Sequence, residues 1–422
     1  MKKKSGILIV ILSIFVTAVL WGSSKPTRTI PVVTQYSELL ASLALLAFAF
    51  INFISTRNKI LDDIFDGLDK SYIYHKYLSI SALLLVVIHD ITISIGKRVQ
   101  RSEGIRIPRD PYAMYGSFSL YLFVILILAA ILLKKLNYER WKNIHKFMII
   151  AYAMGIYHYY GSSDYAALSF SVFSIWMNIV NIIGILSAVY SVFIYERAAF
   201  KYRFKVSKLN VVANGTLEIT GSSLGKSMSF KPGQFAFLKI NGGKNNFTSH
   251  PFTISEAPKE DEIQFTIKGL GDHTKDLFET LKVGDEFSVE GPHGKFDYKN
   301  GLKDQIWIAG GIGVTPFRSF LQGDIPQNYS IDFFYAYNNS EEGAYVEELK
   351  TLVNNKNVRL HLVNSKEKGF LTVDKIFQEV KITEKFDVYF CGPKPMREAL
   401  KKQFESSKVS LNELHYENFQ FK

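Results

Sequence analysis

Residues 71–95 read SYIYHKYLSISALLLVVIHDITISI, and residues 141–161 read WKNIHKFMIIAYAMGIYHYYG. Each is an apolar stretch of helix length with two histidines, His75 and His89 in the first, His145 and His158 in the second. An ionisable side chain inside a membrane helix is costly and reads first as functional. Two such residues on each of two stretches form a pattern that one histidine would not. The spacings are 14 and 13 residues. At a rise of ~1.5 Å per residue, the imidazoles lie ~21 and ~20 Å apart along their helices. Fourteen residues make ~3.9 turns, so His75 and His89 share a face, whereas thirteen make ~3.6 turns. The second stretch must therefore be overwound or must present its two histidines from different sides.

Neutral imidazole is a common metal ligand, and haem iron accepts two axial ligands. Two helices with two histidines each can hold two haems, stacked from one membrane side to the other. Hydrogen bonding between helices would account equally well for any single histidine, but poorly for the repeated pair. A metal ion without haem fits less well, because the cysteines or clustered carboxylates of such a site are missing.

Around these two stretches lie four more, giving apolar runs at 6–21, 36–54, 72–95, 112–133, 144–160 and 168–195. Most can cross a hydrocarbon core of ~30 Å, which takes ~20 residues. The first, behind Lys2, Lys3 and Lys4, has the form of a secretory signal as well as of a span, although AVLWGSS lacks a clean small-x-small cleavage site. Lys and Arg cluster in alternate connections: Arg57, Lys59 and Lys70, then Lys134, Lys135, Arg140 and Lys142, then Arg197, Lys201 and Arg203. By the positive-inside rule these face the cytosol. The expected location is the plasma membrane, crossed several times, with the C-terminal half cytosolic.

The third and fifth runs then point the same way. This pairs His75 with His145 on the inner side and His89 with His158 on the outer side. Lys76 and Lys146 follow the inner ligands directly and either anchor at the interface or meet haem propionates. One connection breaks the charge rule. GKRVQRSEGIRIPRD (96–110) should be outside, yet it carries Lys97, Arg98, Arg101, Arg106 and Arg109. It is either a solvated basic loop or a surface that attracts anions near the outer haem.

The net charge of +11 is, in a membrane protein, first a topology signal and a contact with anionic lipid. No interleaving of aromatic and basic residues suggests nucleic-acid binding. Cys391 is the only cysteine, which excludes an intrachain disulfide and a cysteine metal site.

From Lys201 to about Asn300 short alternating strands separated by turns (FKVSKL, GTLEIT, QFAFLKI, EIQFTIKG, EFSVEGP) predict a small β-barrel. Within it lie HPFTIS (250–255), GDHTKDL (271–277) and EGPHGKF (290–296). The second sets a helix start whose N–H groups can face an anion. From Gln305 strands alternate with helices. IWIAGGIGVTPF runs from an apolar strand through Gly310, Gly311 and Gly313 to Pro316 at a helix start. In that context glycines admit a pyrophosphate at a helix N-terminus. CGPKPMREAL forms a second strand-to-helix turn, where Cys391 is either a small buried residue or a neighbour of the ligand's reactive end.

HPFT, GDHTK, AGGIGVTP and CGP, in that order behind four membrane histidines, resemble the NADPH oxidase and ferric reductase superfamily. The soluble half is similar to ferredoxin–NADP reductases. The likeness is closest to compact bacterial NADPH oxidase homologues, which also end in a short aromatic tail like ENFQFK. The resemblance spans essentially the whole chain. It implies a six-helix transmembrane haem-binding bundle (1–200), an FAD-binding β-barrel (201–300) and a Rossmann-like α/β NAD(P)H domain (301–422).

It further implies that His250, Pro251, Phe252 and Thr253 run along the FAD isoalloxazine and ribityl chain, and that Gly271, His273 and Thr274 hold its pyrophosphate. Gly310, Gly311, Gly313, Thr315 and Pro316 match the dinucleotide loop. Cys391, Gly392 and Pro393 match the turn near the nicotinamide. Phe419 matches the aromatic that stacks on the flavin and shifts to admit nicotinamide, with Phe421 the other candidate. Many NADPH-using relatives carry an arginine for the 2′-phosphate where this chain has Asn338. This predicts weak discrimination between NADPH and NADH unless Arg318 or Arg397 meets the phosphate.

No EF-hand loop is present. The implied cofactors are FAD, two b-type haems, and NADPH or NADH. The implied acceptor is dioxygen, giving superoxide, with extracellular ferric chelates as the alternative, and no obligatory protein partner is evident. No side chain is required as general acid, base or nucleophile.

Overall fold

Composition changes near residue 200, and the fold divides there. A computed structural model separates into two compact units, Met1–Ala198 and Ala199–Lys422. It describes residues 5–27, 29–107, 109–132, 138–165, 167–241, 249–380, 385–407 and 409–417.

Among the described residues the regular elements of the first unit are all helical. Its elements are α1 (Ser5–Gly22), α2 (Val32–Ser55), α3 (Ile60–Phe65), α4 (Leu68–Ser102), α5 (Ala113–Leu132), α6 (Tyr138–Lys146), α7 (Met148–Ser162) and α8 (Val172–Val189). A π-helical turn (Tyr190–Ile194) joins α8 to α9 (Tyr195–Ala198). Among the described residues five helices are long and apolar enough to cross a membrane: α1, α2, α4, α5, and α8 with its continuation to Ala198. The fifth apolar run of the sequence is not one helix. It breaks at Phe147, between α6 and α7. There the Phe147 N–H donates to Ile144 O at 3.1 Å and the Ile150 N–H to Phe147 O at 3.0 Å. These i→i−3 bonds wind the chain more tightly than an α-helix. Local overwinding and the break together replace the regular helix on which a 13-residue spacing would misalign two histidines.

A second difference concerns the basic connection. Lys97, Arg98 and Arg101 belong to α4, which runs for 35 residues to Ser102. At ~1.5 Å per residue it is ~52 Å long, well beyond a ~30 Å hydrocarbon core. Its last turns need no apolar surroundings.

Small residues let these helices approach. A Cβ on Gly184 of α8 would meet Tyr152 Oη at 2.1 Å and Ala49 Cα of α2 at 3.2 Å. In lipid such close approach supplies the dispersion contact that holds helices together. Phe48 of α2 stacks on Phe123 of α5 with centroids 4.6 Å apart. Polar groups pair within the bundle: Ser119 Oγ donates to Ala151 O at 2.7 Å, and Trp176 Nε1 to Thr17 Oγ1 at 2.8 Å.

In the second unit, β1 (Tyr202–Ala213), β2 (Thr216–Ser223), β3 (Phe235–Asn241), β4 (His250–Thr253), β5 (Glu262–Lys268) and β6 (Glu286–His293), with α10 (Asp272–Thr280) before β6, form an antiparallel sheet in the order β4-β3-β6-β1-β2-β5. A bridge between Ile254 and Phe265 joins its two edges, so the sheet closes as a barrel. Phe204, Phe265, Phe287 and Val289 fill it.

The remainder is β7 (Asp304–Gly310), α11 (Thr315–Gln322), β8 (Ser330–Tyr337), α12 (Val346–Leu352), β9 (Val358–Asn364), α13 (Ser365–Lys368), α14 (Val373–Glu379), β10 (Phe386–Cys391), α15 (Lys394–Ser406) and β11 (Leu411–Tyr416). Its five strands are parallel, in the order β11-β10-β7-β8-β9. The apolar run Ile306–Ala309 is fully buried, as a parallel strand covered on both faces must be. The order reverses between β7 and β10, the switch point at which such sheets bind ligands.

Candidate functional site

The four histidines meet as two pairs. His75 and His145 have ring centroids 6.2 Å apart, and His89 and His158 6.3 Å apart. Two metal–imidazole bonds of ~2.0 Å each, with the two ring radii added, span ~6 Å. Each pair therefore fits one metal held axially from both sides. Among the described residues no group of three or more His, Cys, Asp or Glu could hold a metal ion. Two imidazoles alone suit a metal whose other positions come from a macrocycle.

Around His89 and His158 polar groups hold the rings. The His89 Nδ1 lies 2.8 Å from Ser37 O, and Ser37 Oγ donates to His89 O at 2.9 Å. His158 Nδ1 lies 3.1 Å from Tyr112 O and 3.0 Å from Ser162 Oγ. Carbonyl partners favour the tautomer protonated at Nδ1, which leaves the Nε2 lone pair for a metal. His145 instead lies flat on Trp141, with centroids 5.1 Å and planes 11° apart. Lys146 has a carboxylate near it already, Glu196 at 3.5 Å, while Lys76 is exposed. Ser37, Tyr112, Ser162 and Trp141 carried no sequence signal for these roles.

At the switch point Gly310, Gly313, Cys391, Gly392 and Pro393 come together. A Cβ on Gly313 would lie 2.1 Å from Cys391 O, and one on Gly310 would lie 2.8 Å from Pro393 Cδ and 3.5 Å from Gly392 Cα. These two glycines let the turns after β7 and β10 touch backbone to backbone. Only Gly311 is open: it has φ +54° and nothing within 4 Å of a Cβ, and so leaves room for a ligand. Thr315 and Pro316 begin α11. Burial pushes the Cys391 thiol up, so it stays protonated and behaves as a small apolar residue.

Asn338 follows β8 and its side-chain amide donates to Glu342 Oε2 at 3.0 Å. Glu342 also accepts from Lys268 Nζ at 2.7 Å, a bond that holds its carboxyl below the usual range. Arg318 is not available to a phosphate. It is buried, donates to Glu348 at 3.0 Å and to Ser255 O at 2.8 Å, and stacks on Tyr345 at 4.1 Å. Arg397 is similarly engaged, by Glu398 at 2.9 Å and by the Tyr416 ring at 4.3 Å.

On the barrel, His250–Thr253 is strand β4, paired with β3 from Phe235↔Thr253 to Leu238↔His250. Pro251 has no N–H to donate, which an edge strand tolerates. Gly271 caps α10. Thr274 Oγ1 accepts the N–H groups of Leu270 at 3.0 Å and Gly271 at 3.1 Å, so the donors left for an anion are those further into the first turn. Both segments flank β5, since Ile254 bridges Phe265 and α10 follows Lys268. The side chain of His273, and Phe419 and Phe421 entirely, lie outside the described residues.

Comparison with known proteins gives three successive matches. Residues 40–156 match the family described as ferric reductase like transmembrane component, residues 201–301 an FAD-binding domain, and residues 307–402 an oxidoreductase NAD-binding domain. Among curated proteins the chain is 25% identical over 219 residues to the 2-halobenzoate 1,2-dioxygenase electron transfer component of Burkholderia cepacia, covering 48% of this chain and 62% of that one. It is 28% identical over 209 residues to the reductase component of propane 2-monooxygenase from Mycolicibacterium goodii, covering 45% and 59%. The chain thus spans about three fifths of the length of these relatives. Among solved structures it is similar to the flavohem-like FAD/NAD binding domain of nitric oxide dioxygenase from Vibrio cholerae O1 biovar El Tor, with TM-score 0.44 and 21% identity over 51% of this chain and 98% of that one.

Proposed function

We propose, for a chain whose three successive domains match the architecture of the NADPH oxidase and ferric reductase superfamily, that it is a transmembrane NAD(P)H oxidase reducing extracellular dioxygen to superoxide. The three matched domains make it a transmembrane NAD(P)H-dependent oxidoreductase with FAD- and NAD-binding domains. The observation that carries the finer reading is the pair of imidazole pairs, 6.2 and 6.3 Å across, in a unit of apolar helices. When bound, FAD and two b-type haems supply the hydride and single-electron chemistry.

The chain's own residues bind and orient. His75 with His145, and His89 with His158, would hold the haems. Ser37 and Tyr112 fix the tautomers of one pair. Gly310 and Gly313 seat the switch-point turns against each other, and Gly311 leaves the opening for the dinucleotide. Phe419 is assigned to the flavin face. His89 and His158 together would occupy both protein-facing positions of a haem iron, so a small neutral acceptor that reaches the haem edge would suit the site better than a bulky chelate. The flavin and nucleotide domains face the cytosol and the His89–His158 pair faces outward at the plasma membrane.

A second reading, a ferric-chelate reductase, is favoured by one feature. Arg98, Arg101, Arg106 and Arg109 are exposed, and a cationic surface draws anionic chelates. Salt screens that attraction over ~8–10 Å, so it acts on rate. NAD(P)H-driven cytochrome c reduction by the purified protein separates the two. Abolition by superoxide dismutase supports the oxidase. Dismutase-insensitive reduction, with rapid anaerobic reduction of ferric citrate that slows as salt is raised, supports the reductase.

The nucleotide site carries a further expected result. Asn338 faces an ionised Glu342, and Arg318 and Arg397 are committed elsewhere, so none of these three side chains gives the 2′-phosphate a charge-assisted partner. Wild type should discriminate between NADPH and NADH by less than about tenfold. Asn338→Arg should shift kcat/KM towards NADPH by about tenfold or more, since a charge-assisted bond is worth ~1.5–3 kcal/mol. A thousandfold preference of wild type for NADPH would contradict this.

A further inference from the structure

The two imidazole pairs differ in what lies behind them. His145 Nδ1 is buried with no hydrogen-bond partner among the described residues. His158 stands at the head of a chain: its Nδ1 is 3.0 Å from Ser162 Oγ, and Ser162 Oγ donates to Asp110 Oδ2 at 2.6 Å. With Nδ1 protonated, every link is a donor-to-acceptor step that ends on a carboxylate. The ring is also held from α5, where a Cβ on Gly116 would come within 2.8 Å of His158 Cδ2 and 2.9 Å of Nε2. Asp110 has a local duty as well, since its Oδ1 accepts the Tyr112 N–H at 2.8 Å just before α5.

We propose that Asp110, acting through Ser162, is a positioning residue that shares the His158 Nδ1–H with the Tyr112 carbonyl 3.1 Å away and, by its charge, makes the His158 Nε2 the more electron-rich of the histidine ligands. The proposal rests on the haem reading above. A carboxylate at the end of a donor chain polarises each bond before it, and an outer-shell acceptor raises the basicity of a ligating histidine. A more basic ligand favours the ferric over the ferrous state and so lowers the potential of that haem alone. This suits the haem that must give electrons to a poor acceptor.

The test is an optical redox titration of the full-length protein loaded with haem. Asp110→Asn keeps an oxygen for the Tyr112 N–H and removes the charge. Ser162→Ala cuts the chain and keeps the charge. Each should move one of the two haem potentials upward, by up to about tenfold in the ferrous-to-ferric ratio at a fixed potential, which is ~59 mV for one electron. The other potential should stay, and the double variant should match the larger single one. Unmoved potentials with both haems retained would overturn the proposal, as would a shift in Asp110→Asn without one in Ser162→Ala, which would mean a field effect and no relay. If Ser162→Ala loses a haem, Ser162→Thr, which restores the hydroxyl, must keep it at the wild-type potential, and failure to do so overturns the proposal. Wild-type protein that binds no haem would overturn the haem reading itself, and this proposal with it.

Discussion

His75→Leu and His145→Leu should each halve the haem content of the purified protein, from two haems per chain to one. The two rings sit 6.2 Å apart, a separation at which both would hold one metal between them, so neither substitution would leave the other histidine an equivalent partner. Leucine brings no polar atom into the bundle and fills comparable volume, so the helices can still pack. His89→Leu and His158→Leu should remove the other haem. The check is haem extracted per mole of folded protein, with monodispersity in detergent as the control for folding. Two haems in folded His75→Leu protein would dismiss the pairing.

Gly313→Ala should cut kcat/KM for NAD(P)H more than tenfold while both haems remain. A Cβ there would lie 2.1 Å from Cys391 O and 2.8 Å from Gly392 N, both backbone atoms of the facing turn. Backbone cannot swing aside as the tip of a side chain can, so the turns after β7 and β10 must part. Overpacking of this kind costs ~1–3 kcal/mol, and here the strain falls on the two turns assigned to the dinucleotide. Gly311→Ala is the contrast. It meets no protein atom within 4 Å and within the fold bears only the strain of φ +54°, ~1–2 kcal/mol, although its methyl enters the opening assigned to the dinucleotide. Gly313→Ala should therefore lower the melting temperature more than Gly311→Ala, and equal melting temperatures would mean that the Gly313 contact does not matter.

The approach of His75 to His145 and of His89 to His158 is legible in the sequence because run direction and spacing are local properties that survive folding. The order of soluble motifs behind the four histidines likewise pointed to barrel and parallel sheet. What lay beyond the sequence is of another kind. Ser37 and His89 are 52 residues apart and Tyr112 and His158 are 46 apart, so their bonds exist only once helices have packed. The tight turn at Phe147 breaks the fifth apolar run without any proline or glycine at that position, and composition gives no hint of it. Residues 96–102 lie past the third apolar run and look like a connection, yet Lys and Arg are good helix formers and α4 continues to Ser102. In the sequence Gly310 and Gly313 suggest clearance for a pyrophosphate. Their structural duty is approach to Cys391–Pro393, a partner about 80 residues away in the chain. Arg318 was a free cation in the sequence, and its burial against Glu348 and Tyr345 is purely tertiary.

Anaerobic addition of NADPH or NADH to purified protein loaded with FAD and haem, followed by absorbance, asks whether one chain carries reducing equivalents from a nucleotide through flavin to two haems. Both haems should be reduced to the level reached with dithionite, and only when FAD is added. Bleaching of the flavin with no change at the haem bands, or fewer than two haems per chain in folded wild-type protein, would refute such a path.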